Sequence, residues 1–129
     1  MAKVELDTHA FLWTAVGSSQ LSVNATNLFL ESQNELYLSI ASVWEIAIKC
    51  SLGKLTFHKP IESYILDLLQ ENAIQLLNID FRHVMRVTTL PFHHRDPFDR
   101  LLISQAIEEK IALLSCNGAF DAYGIERLW

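Results

Sequence analysis

Apolar and polar positions form two kinds of pattern along the chain, short apolar runs and longer stretches with apolar residues at helical spacing. Five short runs predict β-strands, at residues 4–6, 36–38, 74–77, 111–114 and near 125–128. Six stretches with helical spacing predict helices, at residues 9–15, 22–32, 41–52, 60–71, 81–88 and 97–110. Short apolar strands that alternate with helices predict an α/β fold, in which helices cover both faces of a parallel sheet.

Residues typical of helix ends support these boundaries. Ser22 is typical of an N-cap, Pro60 of a first helical turn and Gly53 of the position after a helix. Ser42 and Glu45 match the S-x-x-E capping box at the start of the third helix. That match offers a purely structural explanation for Glu45.

The composition predicts one compact domain over residues 1–129. The chain is 50% hydrophobic with only 4 Gly and 3 Pro, which is enough apolar material for a core. No uncharged apolar run reaches the ~18 residues of a membrane-spanning helix, and charge interrupts the N-terminus before a signal-peptide core could form. Cys50 and Cys116 fit neither a disulfide framework nor a CxxC zinc pattern. We therefore expect a soluble, cytoplasmic protein with free thiols and no membrane partner.

The charge balance limits how the protein could bind nucleic acid. Ten basic and 15 acidic residues give a formal net charge of -5. This balance argues against a broad cationic surface that binds nucleic acid by phosphate neutralisation alone. Any chemistry on nucleic acid would therefore need metal ions to offset the repulsion between like charges.

Three carboxylates, Asp7, Glu45 and Asp99, stand inside or at the edges of strongly apolar runs. A buried charge destabilises a fold unless it is paired or binds a metal, and only Glu45 has a basic residue, Lys49, on a clear salt-bridging helix face. Ligands of open parallel sheets collect beyond the carboxyl ends of the strands. Asp7 lies at that end of the first strand, and Asn117 lies just past the fourth. We therefore expect the chemistry at this edge of the sheet.

Each acid also has a structural explanation. Asp96 before Pro97 is typical of an N-cap, and Asp99 three residues later would favour the helix dipole. Asp7 could cap the helix that follows it. Three acids at the starts of three helices nevertheless form a negative cluster that caps alone do not require, and like charges destabilise one another unless a cation joins them. Carboxylate oxygens without a set of His or Cys ligands favour Mg²⁺ or Mn²⁺ over zinc.

Several blocks of sequence, taken in order from end to end, resemble a PIN-domain protein of the VapC-type toxin branch. The blocks are Asp7-Thr8-His9-Ala10-Phe11-Leu12-Trp13, Leu38-Ser39 with residues 41–49, Leu52-Gly53-Lys54-Leu55, Leu90-Pro91 with His93-His94, Asp96-Pro97-Phe98-Asp99-Arg100 with residues 101–103, and Tyr123-Gly124 with Leu128-Trp129. The resemblance implies a PIN-like three-layer α/β domain with a five-stranded parallel sheet. It also implies a metal-dependent ribonuclease acting on RNA, a homodimer and a small antitoxin whose tail covers the active cleft.

By position, the resemblance assigns Asp7, Glu45 and Asp99 to three of the four acidic metal-site residues of the family. Asn117 occupies the fourth position, where it keeps a carbonyl oxygen but lacks the negative charge that helps to hold a second cation. Asp96 would act through water in the outer ligand set. Ser115 matches the family's small hydroxyl residue that supports this end of the site.

Two alternative functions stay open from the sequence. The first is a catalytically weak or inactive PIN-like module that acts mainly as an antitoxin-binding partner. RNA cleavage by partner-free protein with added metal distinguishes this module from the endoribonuclease. The second, a flavodoxin-like or nucleotide-binding domain, has little support because no Gly-rich phosphate loop follows any strand.

Further residues near the predicted site have ordinary structural explanations. Residues 90–95 are predicted to form a loop, in which the histidine pair is expected to have no special role. Arg100 is expected to pair with Asp96 across one helical turn, and Asp121 to point to solvent. Four aromatic residues are expected mostly in the core, namely Trp13, Trp44, Phe98 and Phe120.

Overall fold

The computed structural model describes residues 2–129 and contains a five-stranded sheet in which every pairing is parallel. The strand order is β3-β2-β1-β4-β5. The strands are β1 (Lys3–Leu6), β2 (Glu35–Ser39), β3 (Ile74–Leu77), β4 (Ala112–Leu114) and β5 (Arg127–Leu128). Because β1 lies in the centre with β2 and β4 beside it, the residue after β1 lies in the middle of the sheet edge.

Six α-helices connect the strands at the positions that the helical spacing predicts. They are α1 (Thr8–Ala15), α2 (Val23–Leu30), α3 (Ile40–Ser51), α4 (Ile61–Glu71), α5 (Phe81–Val87) and α6 (Pro97–Glu109). A 3-10 helix, Gly118–Tyr123, follows β4 and was not predicted. The parallel sheet with its helices confirms the predicted PIN-like α/β fold.

The two faces of the sheet pack into two apolar cores. Val4 and Leu6 of β1 face one core together with Phe11 of α1, whereas Leu113 of β4 faces the other. Ile103 of α6 packs with Leu113 on that second face. Alternate strand residues point to opposite faces, so this arrangement produces three layers.

The structure corrects two helix starts. Ser39 is the N-cap of α3, because its hydroxyl accepts the Ala41 N–H at 3.0 Å, so the capping box predicted at Ser42 is wrong. Ser42 lies within the helix and is fully buried. Pro60 precedes the first residue of α4 instead of belonging to its first turn. Gly53, with φ of 73°, has the left-handed conformation expected after a helix.

Over residues 2–129, every helix is too short or too polar to cross a lipid bilayer.

Candidate active site

Asp7 is placed at the sheet edge by β1 and also caps α1. Its backbone N–H donates to Leu114 O at 3.1 Å, which ties it to the end of β4. Its Oδ1 accepts the Ala10 N–H at 2.8 Å, as the capping explanation predicted. The cap occupies one carboxylate oxygen of a residue that is only 7% exposed. The cap therefore uses only one of the two carboxylate oxygens.

Glu45 is fixed from two sides on α3. The Thr8 hydroxyl donates to Glu45 Oε1 at 2.6 Å and lies 3.0 Å from Ser42 Oγ. Lys49 Nζ lies 3.4 Å from Glu45 Oε2, which is the pair that the helical spacing predicted. Because Ser42 and Thr8 are both buried, this hydroxyl pair fixes the carboxylate from inside the fold. The sequence pattern assigned no role to Thr8.

Asp99 lies in the first turn of α6, after its N-cap Asp96. Asp96 Oδ1 accepts the N–H groups of Phe98 and Asp99 at 2.9 and 3.3 Å, which confirms Asp96 as a cap. Burial, followed by the charges of Asp96, Glu45 and Asp7 in that order, raises the pKa of Asp99 to about 7. The charges of Glu45 and Asp7 act on Asp99, so the acid before α1 and the acids on α3 and α6 lie near one another.

The pKa of Asp7 is also raised, chiefly by its burial. A hydrogen bond from Ser115 and another from the Ala10 N–H lower it, while the charge of Glu45 raises it. Ser115 therefore contacts the cleft acid at the end of β4, where it was expected to support the site.

Asn117 is exposed and caps the 3-10 helix. Its Oδ1 accepts the Ala119 N–H at 3.0 Å, and its own N–H donates to Ser115 Oγ at 3.0 Å. Asn117 thus connects to Asp7 through Ser115. Its amide oxygen has a structural partner already, and one lone pair of that oxygen stays free.

Arg100 does not pair with Asp96, contrary to expectation. The guanidinium donates to the carbonyl oxygens of Pro91, Leu90 and Val87 at 2.8, 3.2 and 3.3 Å. Since Arg100 is only 4% exposed, these carbonyls replace the water that its charge loses. Arg100 therefore fixes the segment between α5 and α6, which carries His94.

His94 contacts the cleft, whereas sequence reasoning gave the histidine pair no special role. His94 Nε2 lies 3.7 Å from Asp99 Oδ2, and His94 Nδ1 lies 3.2 Å from Tyr123 Oη. No local sequence pattern signals the contact between His94 and Tyr123, because the 3-10 helix that carries Tyr123 follows 29 positions later.

The aromatic residues are only partly in the core. Phe120 is 1% exposed, as expected, but Trp44 is 57% exposed. Trp44 packs edge-to-face on Phe98, with 5.1 Å between ring centroids. Asp121 is exposed as predicted and pairs with Arg127 at 2.8 Å, so it is not a replacement for the missing fourth acid.

A second group of possible ligands, Asp80, His83 and Glu109, is separate from the cleft. His83 Nδ1 accepts the Asp80 N–H at 3.1 Å, and His83 Nε2 lies 2.8 Å from Glu109 Oε1. Both ring nitrogens are therefore used, Nδ1 as the acceptor in the capping box and Nε2 as the donor to Glu109. Glu109 is the last residue of α6, and it lies about 15 Å along the helix axis from Asp99 in the first turn.

The cleft residues fit a hard divalent cation. Asp7, Glu45 and Asp99 supply carboxylate oxygens, and His94 lies beside Asp99. Within residues 2–129, however, only Asp80, His83 and Glu109 bring one ligand atom each within 4.8 Å of one another, so the three cleft carboxylates lie farther apart than this. Mg²⁺ and Mn²⁺ prefer such oxygen ligands. Burial is the main cause of the raised pKa of Asp99, and repulsion from the neighbouring acids adds to it; a bound cation would offset both.

Comparison with known proteins identifies the family. Ribonuclease VapC16 of Mycobacterium tuberculosis is 38% identical over 63 residues, which are 48% of this chain and 45% of that protein, so the chain spans about half the length of this relative. The crystal structure of VapBC2 from Rickettsia felis bound to a promoter DNA fragment is similar, with 15% identity, a TM-score of 0.74, and coverage of 98% of this chain and 97% of that chain. VapBC-5 from Mycobacterium tuberculosis, a member of the VapBC family of toxin-antitoxin systems, has 15% identity and a TM-score of 0.62, with coverage of 99% and 98%. Such identities show the fold alone. The family model for the PIN domain matches residues 4–126, and the chain therefore belongs to the PIN domain family.

Proposed function

We propose that the protein is a Mg²⁺- or Mn²⁺-dependent endoribonuclease and the toxin of a toxin-antitoxin pair. The observation that carries the proposal is that Asp7, Glu45 and Asp99 lie close enough together for the charges of Asp7 and Glu45 to raise the pKa of Asp99. The similarity to Ribonuclease VapC16 supports ribonuclease activity. Membership of the PIN family supports placing that activity at this cleft.

In the proposed mechanism, the carboxylates of Asp7, Glu45 and Asp99 hold the cation at the carboxyl edge of the sheet. When bound, Mg²⁺ or Mn²⁺ would lower the pKa of the attacking water and neutralise charge developing on the scissile phosphate. Asp96, by way of water, and Asn117 would complete the outer ligand set of the bound cation. Asn117 contributes a neutral oxygen, so we expect a second cation to bind less tightly than it would beside an acid.

The other residues of the cleft keep these carboxylates in place. Thr8 orients Glu45 by the 2.6 Å hydrogen bond, and the Ala10 N–H orients Asp7. Lys49, which is 37% exposed in its side chain, supplies positive charge beside the cleft for an RNA phosphate. An RNA substrate suits a cytoplasmic site of action, where Cys50 and Cys116 stay free thiols.

We further propose a homodimer that forms through an apolar groove. The groove has a volume of about 720 Å³ and lies between α3, α5 and α6. Its lining includes Trp44, Met85, Phe92, Phe98 and Leu101. Phe92 is 81% exposed and Trp44 57%, and large apolar side chains exposed together are typical of protein interfaces.

The proposed antitoxin is a small protein whose tail covers the acidic cleft. The similarity to VapBC-5, from a family of toxin-antitoxin systems, supports such a partner. A basic side chain in that tail would complement the charges of Asp7 and Asp99, and an Arg fork would bind a carboxylate by two hydrogen bonds.

RNA cleavage by the partner-free protein tests the function. We expect cleavage with Mg²⁺ or Mn²⁺, its loss with a chelator, and its loss in Asp7→Asn. Asp67→Asn is the matched control, because Asp67 pairs with Lys59 outside the cleft and its replacement leaves cleavage unchanged. Metal binding without any RNA cleavage would contradict the nuclease and favour the antitoxin-binding module instead.

A further inference from the structure

The segment before α6 is held against the 3-10 helix by His94. The His94 backbone N–H donates to Tyr123 Oη at 3.2 Å, and His94 Nδ1 lies 3.2 Å from the same oxygen. The imidazole also packs on two rings, with centroid distances of 5.3 Å to Tyr123 and 5.5 Å to Phe120. Phe120 is buried, so the ring of His94 has a fixed position.

The other imidazole nitrogen faces the cleft. His94 Nε2 is buried and lacks a hydrogen-bond partner among residues 2–129. It lies 3.7 Å from Asp99 Oδ2, a small movement away from a hydrogen bond. A buried nitrogen without a hydrogen-bond partner is unfavourable, so a shorter contact between His94 Nε2 and Asp99 Oδ2 would stabilise the fold.

The Tyr123 hydroxyl selects which imidazole nitrogen carries the proton. Tyr123 Oη accepts the His94 backbone N–H, and its own proton can be donated to His94 Nδ1. With that donation the neutral ring carries its proton on Nε2, where it points at the Asp99 carboxylate. The opposite tautomer would place the Nε2 lone pair against Asp99 oxygen, which is repulsive.

The three acids of the cleft differ in the donors that fix them. Asp7 accepts the Ala10 N–H and Glu45 accepts the Thr8 hydroxyl, whereas within residues 2–129 no hydrogen bond reaches the Asp99 carboxylate. His94 Nε2 is the donor placed to fill that role. Hydrogen bonds to metal-binding carboxylates set their orientation and change metal affinity.

We propose that His94 is a positioning residue, which donates from Nε2 to Asp99 and holds this carboxylate in its cation-binding orientation, with its tautomer set by the Tyr123 hydroxyl. This inference rests on the proposed function, because it requires Asp99 to hold a cation. The role differs from that of the adjacent His93, whose exposed ring contacts only the edge of Tyr123 among the aromatic side chains.

Mn²⁺ titration calorimetry on the full chain tests the proposal. His94→Phe keeps the ring but removes its nitrogens, and we expect Mn²⁺ affinity to fall about tenfold. His94→Gln places an amide donor near the position of Nε2 and should restore most of the affinity, whereas His94→Asn places it near Nδ1 and should not. Tyr123→Phe should weaken binding in the same direction. His93→Phe is the matched control and should bind as the wild type does.

Nitrogen-15 spectra of the metal-free protein at pH 8 give a readout that does not depend on activity, and we expect the proton of His94 on Nε2. A proton on Nδ1 would overturn the proposal. Equal Mn²⁺ affinity in wild type and His94→Phe would overturn it and leave the proposed nuclease intact. If His94→Phe does not fold, equal affinity of the Gln and Asn variants overturns it. A wild-type protein that binds no Mn²⁺ would overturn both proposals.

Discussion

The Thr8 hydroxyl donates a 2.6 Å hydrogen bond to Glu45 Oε1 and so joins the first residue of α1 to the interior of α3, 37 positions along the chain. Because Asp7 immediately precedes Thr8, this bond also sets the spacing between two cleft acids. Thr8 is 6% exposed, so water does not compete for its hydroxyl. The bond therefore holds two helices and two carboxylates in one arrangement.

Replacing Thr8 by Val should remove that orientation while keeping the side-chain shape. We expect RNA cleavage by Thr8→Val to fall about 10- to 100-fold, since supporting hydrogen bonds around metal ligands have effects of this size. Thr14→Val on the same helix is the matched control, because its hydroxyl bonds only to Ala10 O at 2.8 Å. Equal cleavage rates for the two variants, measured with Mn²⁺, would contradict the role of Thr8.

Asp99→Asn should stabilise the metal-free protein. The pKa of Asp99 is raised from 3.8 to about 7, so ionisation of this carboxylate destabilises the folded state as pH rises through this range. The gain from Asn is therefore absent below about pH 4, grows up to about pH 7 and stays constant above it. We expect about 1 to 2 kcal/mol at pH 8 in urea unfolding, after allowing for solvent screening.

Added cation should reverse this order of stability. At a hundredfold excess over its dissociation constant, Mn²⁺ should stabilise the wild type by about 2.7 kcal/mol and Asp99→Asn by less. Asp67→Asn, which removes a carboxylate paired with Lys59 outside the cleft, should show the full response to Mn²⁺. If neither Mn²⁺ nor Mg²⁺ changes the free energy of unfolding of any of the three proteins, the metal site is ruled out.

Asn117→Asp should restore a charged oxygen at the end of β4. An Asp can keep the cap on the Ala119 N–H, so we expect the fold to persist. The variant should bind Mn²⁺ more tightly and cleave RNA faster at limiting Mn²⁺, but be less stable without metal because of added repulsion. Asn27 is exposed on α2, so Asn27→Asp is the control for the change in net charge.

Mass spectrometry must accompany this comparison, since deamidation of the Asn117-Gly118 pair would generate some Asp in the wild type. If intact Asn117 protein cleaves RNA as fast as the Asp variant, the fourth acid is dispensable.

Arg100→Lys should destabilise the fold although the charge is kept. Lys cannot reproduce the fork that bonds to the carbonyl oxygens of Pro91, Leu90 and Val87, and its ammonium is more strongly hydrated. We expect a loss of about 2 kcal/mol in urea unfolding. Arg86→Lys on α5, an exposed Arg paired with Glu108, should change stability by less than about 1 kcal/mol. Similar losses in both variants would contradict a special role for Arg100.

The sequence pattern predicted all of the strands and α-helices because their periodicity records which face each residue buries. It did not predict the 3-10 helix, which depends on burying Phe120 beneath the segment that carries His94. It also misassigned the cap of α3, since Ser39 and Ser42 are equally suitable locally and only the end of β2 distinguishes them.

For the cleft, strand ends and helix starts predicted that Asp7, Glu45 and Asp99 lie together, and their mutual effect on pKa agrees. Their metal-binding role stays a prediction. Thr8 was missed because its partner Glu45 is 37 positions away, and His94 because Tyr123, which holds its ring, is 29 positions away. Hydroxyl and imidazole groups also leave no periodic signal.

Glu5 shows the same limit of local patterns. It occupies a polar position of β1 beside apolar neighbours, yet it is fully buried and both its oxygens lack partners among residues 2–129. Its burial raises its pKa well above the usual range for Glu. Only the packing of both adjacent strands, which the local pattern does not contain, places a carboxyl group there.

The contact between Trp44 and Phe98 joins the apolar groove to the acidic cleft. Trp44 adjoins Glu45 on α3, and Phe98 adjoins Asp99 on α6. In the proposed homodimer, a subunit bound in the groove would therefore restrain the helical turns that carry both acids. Thermodynamic coupling of this kind is reciprocal: if association strengthens cation binding by some factor, the cation strengthens association by the same factor. If the proposed dimer and cation site are coupled in this way, we expect dilution of the protein to weaken cation binding, and so to lower the activity per chain even at a constant cation concentration.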